Sequence, residues 1–198
     1  MAGKVEARKA ALREKLVDAA EIRIARDGAG ALRARDLAQD AGCALGAIYN
    51  AFDDLNAIIM AVNGRTFRGL GAAVRASVED ADAEPPTSRL ILMSNAYLHF
   101  AIANTNLWRA LFDLQMTAEG PVPDWYLEAL EGLFANIARP VGELFPGMGA
   151  EETGLMVRAL FSSVHGIVLL GLERRISGVP PEQIETMIAQ VLRQIGRS

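Results

Sequence analysis

The chain has 198 residues, of which 51% are hydrophobic and 6% aromatic, and its formal net charge is −4. This length is sufficient for one or two domains, and the absence of any long alternating segment predicts an all-α fold. The single cysteine, Cys43, excludes an internal disulfide framework and a cysteine-based zinc site. The charged N-terminal segment is unlike a signal peptide, and the longest apolar stretch, 164–172, is too short to cross a bilayer. We therefore expect a cytoplasmic protein with no membrane segment.

The charges are unevenly distributed along the chain. Residues 1–55 contain nine basic and nine acidic groups, whereas the remainder contains eleven basic and fifteen acidic groups. The basic groups between Lys4 and Lys15 form an N-terminal arm that can contact phosphates locally, even though the whole protein is acidic. A solvated helix face explains the same residues equally well.

The first helix is predicted from about Ala7 to Gly28, and two short helices follow it. The first of these runs over about 34–40, Gly42 follows it in a turn that tolerates a left-handed backbone, and the second runs over about 45–51. Winding the second helix at about 100° per residue places Ile48 and two alanines on one side. The opposite side carries Leu45, Gly46, Tyr49 and Asn50. This pattern predicts a helix-turn-helix over residues 33–52, whose second helix has the dimensions to enter a major groove.

The segment 16–62 resembles the N-terminal DNA-binding domain of the TetR family of bacterial transcriptional regulators. The residues that carry the resemblance, in order and without gaps, are Ala19, Ala20, Asp27, Gly28, Arg35, Asp36, Leu37, Ala38, Ala41, Gly42, Gly46, Ile48, Tyr49, Phe52 and Ile58. The resemblance implies a helix-turn-helix domain over 1–62, joined by a long fourth helix to a C-terminal effector-binding and dimerisation domain over 63–198. It also implies DNA contacts by Arg33, Arg35, Ala44, Leu45, Gly46, Tyr49 and Asn50.

Several positions depart from the pattern of the resembled family. Leu32 and Arg33 stand where a Thr or Ser usually caps the second helix, and Ala44 stands where a Ser usually opens the recognition helix. Leu55 replaces a Lys that touches phosphate, and Asn50 replaces a His or Trp. A missing side-chain cap costs about 0.5–2 kcal/mol of helix stability. These departures motivate an alternative, a ligand-binding helical protein whose helix-turn-helix no longer binds DNA.

A long fourth helix is predicted over 54–79, and an acidic, proline-rich connection follows it over 80–87. Further apolar helices are predicted over 88–103, around Trp108, and from Asp124 towards a bend or break at Pro140. In the resembled family these helices enclose an effector pocket. The implied ligand-binding residues are Tyr97, Phe100, Asn104, Trp108, Phe112, Met116, Trp125, Tyr126, Phe161 and His165. An apolar cavity with few polar groups suits a small apolar or amphipathic effector. Any one of these residues is better explained by an ordinary core, whereas for the set the resemblance favours a pocket.

The last two predicted helices, 151–176 and the one that starts at Pro180-Pro181, have the composition of an association surface. Their small and apolar positions are Ala159, Ser163, Gly166, Ile184, Ile188, Val191 and Ile195. Two such stripes meeting a symmetric copy would form a four-helix interface, as the resembled family does. The same stripes are also compatible with the core of a monomer.

The sequence contains no constellation for catalysis. The two histidines, His99 and His165, lack neighbouring Cys, His or carboxylates at ligand spacing, so we expect no metal. No nucleophile elbow, phosphate loop or dinucleotide fingerprint is present, and we expect neither a cofactor nor an enzyme. Residues 161–172 and 107–116 also resemble a C-terminal subtype named for a Trp-His-Gly signature, although here Val164 precedes His165-Gly166. The prediction is a homodimeric repressor that leaves a palindromic operator when a small effector binds.

Overall fold

The computed structural model of the chain describes residues 2–113, 123–173 and 180–195. These residues form nine α-helices, two 3-10 turns and no strand, which confirms the all-α prediction. The helices are α1 (Ala2–Asp27), α2 (Ala34–Asp40), α3 (Leu45–Ala51), α4 (Leu55–Ala76), α5 (Pro86–Ala103), α6 (Thr105–Asp113), α7 (Asp124–Leu144), α8 (Ala150–Leu172) and α9 (Ile184–Ile195). The 3-10 turns are Ala29–Ala31 and Pro181–Gln183.

Several helix boundaries differ from those expected from the sequence. Helix α1 begins at Ala2 instead of Ala7, because its exposed first turns are rich in Ala, Glu, Lys and Arg, which favour helix without any buried partner. Helix α4 ends at Ala76, three residues before the predicted end, and α8 ends at Leu172 instead of residue 176. Pro140 lies inside α7, which continues beyond it to Leu144.

The chain divides into two compact units. The first consists of Met1–Phe67 and Asn104–Leu127, and the second of Arg68–Ala103 and Glu128–Ser198. Helix α6 therefore belongs to the same compact unit as the helix-turn-helix. The domains 1–62 and 63–198 remain a prediction. They divide the chain by expected function, whereas the compact units divide it by contacts within the fold.

The core of the first unit joins α1 to the helix-turn-helix and α4. Leu16, Leu37, Ile48 and Ile58, one from each of these four helices, are fully buried. Gly42 adopts a φ of +64°, as the tight turn between α2 and α3 requires. Burial of this apolar stripe holds two helices of only seven residues each, which would not be stable alone.

The second unit packs α5, α8 and α9 against one another. Helix α9 buries Ile184, Ile188 and Leu192 within the single protomer. The expected placement of Ile184 and Ile188 at a dimer surface is therefore corrected, because their side chains already fill the protomer's own core. Among the other expected interface residues, Val191 is exposed and Ile195 is half-buried.

Neither helix of the helix-turn-helix has a side-chain cap at its N-terminus. Arg33 precedes α2 and Ala44 precedes α3, and neither position makes a capping hydrogen bond through its side chain. Helix α4 differs, because the Asp54 carboxylate accepts a 2.7 Å hydrogen bond from the backbone N–H of Ala57. As expected from the sequence, Ala44 provides no side-chain cap for α3. Tertiary packing must supply the stability that such a cap would give.

The substitution Ala44→Ser should stabilise the protein. Ala44 has φ −70° and ψ 145°, which is the extended conformation of an N-cap residue, so a serine hydroxyl can accept from the second or third N–H of α3. We expect a gain of about 1 kcal/mol in the free energy of unfolding, measured by urea denaturation. Ala47→Ser, inside the same helix, is the control and should give no gain. Equal effects of the two substitutions would contradict the capping argument.

Candidate functional site

The outer face of α3 is the most accessible part of the helix-turn-helix. Ile48 is fully buried, whereas Leu45 is 40% exposed and Tyr49 is 54% exposed. Ala44, Gly46 and Asn50 are exposed as well. Every α3 residue that the sequence places on the groove-facing side thus lies on the protein surface, with a phenol and a carboxamide available for hydrogen bonds.

The two arginines expected to contact DNA have different surroundings. One guanidinium nitrogen of Arg33 donates to the carbonyl oxygens of Gly30 and Leu32, at 2.8 and 2.9 Å. Arg33 therefore stabilises the 3-10 turn that precedes α2. Arg35 is exposed and has no ion pair or hydrogen-bond partner within the described residues. Of the two, Arg35 is the side chain whose charge is available to a ligand.

One basic residue of the N-terminal arm has a structural role that the sequence analysis missed. The Arg13 guanidinium lies 4.0 Å from the centre of the Phe52 ring and donates a hydrogen bond to the carbonyl oxygen of Ala51. A cation at the last carbonyls of α3 satisfies them and complements the helix dipole. The signal that predicts this role is the Phe52 ring directly after α3, since arginine packs over aromatic faces.

Three of the four remaining basic residues of the arm line a cleft beside α3. The cleft has a volume of about 690 Å³, and its walls include Arg8, Lys9 and Lys15 from α1. The opposite wall includes Ala44 and Asn50. A basic strip and the exposed face of α3 therefore border the same depression, which concentrates positive potential next to that face.

Two arginines connect the helices of the first unit by ion pairs. Arg23 of α1 donates to Asp40 and Asp36 of α2, the latter at 3.4 Å, and its charge holds the pKa of Asp40 below its usual value. Arg65 of α4 donates to Asp18, Glu21 and Glu14 of α1, at 2.7, 2.8 and 2.6 Å. Three carboxylates on one face of α1 would repel one another without this cation.

In the second unit, three of the expected ligand-binding residues lie together. The Tyr97 hydroxyl is 2.8 Å from Nδ1 of His165, and the Phe161 ring stacks on the imidazole at 5.8 Å between centres. Tyr97 and Phe161 line an apolar cavity of about 40 Å³ together with Val74, Leu90, Met93, Ser94, Leu133, Ile137, Leu160, Val164 and Leu192. This volume holds only a few waters, so an effector requires side chains to move.

The other expected ligand-binding residues that the structure describes do not line this cavity. Trp108, Phe112, Trp125 and Tyr126 all belong to the first unit, with ring centres 5.6 Å apart in the Trp108–Phe112 pair and 5.7 Å apart in the other pair. Trp108 is fully buried and serves as core, whereas Trp125 is 42% exposed. Asn104 is half-buried in the first unit and Phe100 half-buried in the second. Met116 lies outside the described residues.

A buried arginine that the sequence analysis did not identify lies in α5. Arg89 is 4% exposed, and its two terminal nitrogens donate to the carboxylate oxygens of Glu143 in α7. The guanidinium holds the pKa of Glu143 below its usual value. Arg89 also lines a second, polar cleft of about 480 Å³. A charged residue in the first turns of an otherwise apolar helix is the signal that marks it.

Helix α8 presents an apolar face to the surface of the chain. Leu155, Ala159 and Ser163 are exposed, and Gly166 is half-buried. Among the described helices, α8 is the one that is long and apolar enough to cross a membrane, a judgement from length and composition alone. Only 28% of its apolar segment is buried within the chain. Such a face equally suits close packing against another helix, because its small residues permit near approach.

Removing the cation between α1 and α4 should destabilise the first unit. Arg65→Gln leaves Glu14, Asp18 and Glu21 unpaired, and we expect a loss of about 1–2 kcal/mol in the free energy of unfolding, measured in urea at low salt. The loss should shrink as salt is added. Arg68→Gln is the control, since Arg68 is exposed on the same helix and makes no ion pair within the described residues. A similar loss in both variants would contradict the assignment.

The half-buried imidazole of His165 should make the fold sensitive to acid. Burial lowers the pKa of His165 below 6.5, so between the folded pKa and 6.5 the unfolded chain binds more protons than the folded one. The stability that His165 contributes is therefore complete above that window and is lost as the pH falls through it. We expect the unfolding free energy to fall between about pH 7.5 and about pH 5.5 by more in the wild type than in His165→Gln.

The second histidine provides the control for this titration. His99 is exposed, with Nε2 2.7 Å from the Glu185 carboxylate. His99→Gln should retain the loss of stability in acid, because the half-buried ring of His165 is unchanged. An acid response that disappears in His99→Gln but persists in His165→Gln would overturn the assignment.

Residues 90–195, which are 106 of the 198 residues, match a model of the tetracyclin repressor-like C-terminal domain. No curated protein matches the chain significantly. Among solved structures, a protein with unknown function from Rhodococcus sp. RHA1 is 25% identical, with a TM-score of 0.73 over 92% of this chain and 94% of that chain.

Two further solved structures have names that refer to regulation or a ligand. The TetR family transcriptional regulator PfmR from Thermus thermophilus is 20% identical, with a TM-score of 0.59 over 92% of this chain and 97% of its own. RolR, solved in complex with resorcinol, is 18% identical, with a TM-score of 0.69 over 97% and 96% of the two chains.

The Trp-His-Gly subtype stays a prediction. With the match over more than half of its length and this shared all-α fold, the chain belongs to the TetR family of transcriptional regulators, which are not enzymes.

Proposed function

We propose that the protein is a homodimeric repressor whose recognition helix is α3. The observation that carries the proposal is the division of α3 into a buried side and an exposed side. Ile48 anchors the helix, while Tyr49 and Asn50 stand on the surface with hydrogen-bonding groups at their ends. A helix of this size with polar outward side chains is suited to reading base edges and phosphates in a major groove.

The charges around α3 favour DNA despite the departures from the family pattern. Arg35, in the first turn of α2, is exposed and without an ion-pair partner in the described chain. Lys4, Arg8 and Lys15 fall on one face of α1, and two of them line the cleft beside α3. These cations can replace the phosphate contacts that Ser and Lys would supply at positions 44 and 55. Binding that depends on them should weaken steeply with salt.

The dimer that we propose uses the exposed face of α8 with the outer positions of α9. Ala159, Ser163 and Val191 are exposed, and Gly166 allows close approach. The buried Ile184 and Ile188 hold α9 in place beneath this surface. A two-fold dimer presents two copies of α3 to half-sites about one helical turn apart, which implies a palindromic operator. The location that we propose for this protein is the cytoplasm.

We further propose that a small effector in the second unit releases the operator. The apolar cavity bordered by Tyr97 and Phe161 is the place where such a molecule would bind after side chains rearrange. The resorcinol complex of RolR supports a small organic ligand in this fold. Helix α4 contributes residues to both units, so a shift of α4 can change the spacing of the two recognition helices. An effector that binds but leaves operator affinity unchanged at fixed salt would contradict this scheme.

The alternative is a ligand-binding helical protein whose helix-turn-helix is silent. The uncapped Ala44 and the apolar Leu55, where the family pattern has a phosphate-binding Lys, favour it. It differs from the repressor in one observable respect, because it predicts no salt-sensitive retention of duplex DNA.

Selection of duplex DNA from a random pool by the purified protein tests the proposal. We expect a palindrome to be enriched, and Tyr49→Ala to lose about 1–3 kcal/mol of affinity at a single operator position. Arg35→Ala should instead weaken all sequences and flatten the salt dependence if its contact is to phosphate.

Matched controls come from exposed residues on α1. Ile22→Ala and Arg26→Ala alter accessible side chains away from α3 and should leave the enriched sequence and its affinity unchanged. If no sequence is enriched across a range of salt while the protein stays a folded dimer, the repressor proposal is wrong and the alternative, a ligand-binding protein whose helix-turn-helix does not bind DNA, holds.

A further inference from the structure

The polar cleft of the second unit has the composition of an anion-binding site. It lies where the C-terminal half of α4, the first turns of α5 and the middle of α7 meet, and three arginines, Arg75, Arg89 and Arg139, line it. Its volume of about 480 Å³ is that of a small-molecule pocket. The apolar cavity beside it, at about 40 Å³, is too small for an organic ligand by itself.

Arg89 supplies a buried hydrogen-bond donor that the protein leaves unused. Its two terminal nitrogens are engaged by Glu143, but its Nε is buried and has no hydrogen-bond partner within the described structure. A guanidinium can bind a carboxylate through Nε and one terminal nitrogen side by side. Because Nε is buried, an anion in the cleft reaches it only after neighbouring side chains move, and it then satisfies a donor whose burial is otherwise unfavourable.

The other charges of the cleft leave Arg75 available. Arg139 pairs with Asp82 at 3.4 Å and with Glu143 at 3.3 Å, so its charge is already shared. Arg75 is exposed and makes no ion pair within the described residues, and Glu79 is the remaining acidic residue on the wall. Arg75 and the Nε of Arg89 are thus the two donors that remain for a ligand, while the nearby carboxylates disfavour a multiply charged anion.

One side chain is shared by the cleft and the cavity. Met93 lines both, is 6% exposed, and lies one turn after Arg89 on α5. An unbranched thioether side chain changes rotamer readily to fill or open a gap. Displacing Met93 would join the polar cleft to an apolar space surrounded by Leu90, Leu133 and Leu160. The joined space is polar at one end and apolar at the other.

We infer that the ligand of this site is an amphipathic monocarboxylate. Its carboxylate binds the Nε edge of Arg89 and Arg75, and its unbranched apolar chain passes Met93 into the cavity. The inference rests on the proposed function in that this molecule is the effector. Binding itself requires no DNA, so it can be measured whether or not the helix-turn-helix recognises an operator.

Calorimetric titration of the full chain with hexanoate, octanoate, decanoate and dodecanoate tests the ligand class. We expect binding to strengthen about three- to fourfold per methylene until the cavity is filled. Decanamide, the neutral analogue of decanoate, should bind at least about tenfold more weakly, because it cannot form a charge-assisted pair with a guanidinium. Acetate should not bind measurably. Equal affinity for decanoate and decanamide, or binding by none of the four carboxylates, overturns the inference.

Substitutions distinguish the two ends of the site. Arg75→Gln, at an exposed position that should not affect folding, is expected to weaken decanoate by about threefold to tenfold, and Arg89→Gln by more. Arg193→Gln, an exposed residue of α9 outside the cleft, is the control and should bind as the wild type does. Met93→Phe, which narrows the passage, should remove the dependence on chain length but keep the preference for a carboxylate.

The outcomes also separate this inference from the proposed function. If Arg89→Gln lowers the melting temperature while Arg75→Gln and Arg193→Gln bind decanoate equally well, the arginine pair is structural only and the site is refuted. If decanoate binds as described but the protein enriches no DNA, the ligand assignment stands and the repressor function fails. If DNA is enriched and no carboxylate binds, the repressor function stands and the ligand assignment fails.

Discussion

The ion pairs between Arg65 and α1 are the constraint on which the first unit depends. One guanidinium on α4 holds Glu14, Asp18 and Glu21, and Arg23 fixes α2 to α1 through Asp40 in the same manner. The short helices α2 and α3 have no side-chain caps, so their positions are set by such contacts and by the shared core. An arginine that is held in such ion pairs is not free to contact the DNA that we propose as partner. Under that proposal, Arg35 and the arm of α1 supply the cations for phosphate contacts.

The fold of the helix-turn-helix was predictable because its determinants are local in sequence. The period of the apolar residues fixes which side of α3 is buried, and the left-handed turn needs a glycine at the position where Gly42 stands. The start of α1 was not predictable in this way. Its first turns are wholly exposed, so they carry no apolar period, and only helix propensity extends the helix to Ala2.

The site in the second unit was predicted only in part, because its contacts are long-range. Aromatic composition cannot decide that Tyr97, Phe161 and His165 meet while Trp108 is core in the other unit. Apolar spacing likewise cannot decide whether Ile188 faces its own protomer or a partner, since both environments require the same side chain. Arg89 was missed because its partner, Glu143, is 54 residues away and only the fold brings the two together.

A ligand can displace the operator only if it binds the two states of the protein with different affinity. A molecule held solely by the apolar cavity would touch α5, α7, α8 and α9 and would contact α4 at Val74 alone. A carboxylate on Arg75 bonds α4 directly, near the end of the helix that also carries Arg65 and its ties to α1. A coupling free energy of about 1–3 kcal/mol, enough for a roughly 5- to 150-fold change in operator affinity, is within the range of one charge-assisted bond that forms in one state only. Placing the anion on α4 therefore makes the helix itself part of the ligand site, and the energy of that bond is available to bias its position.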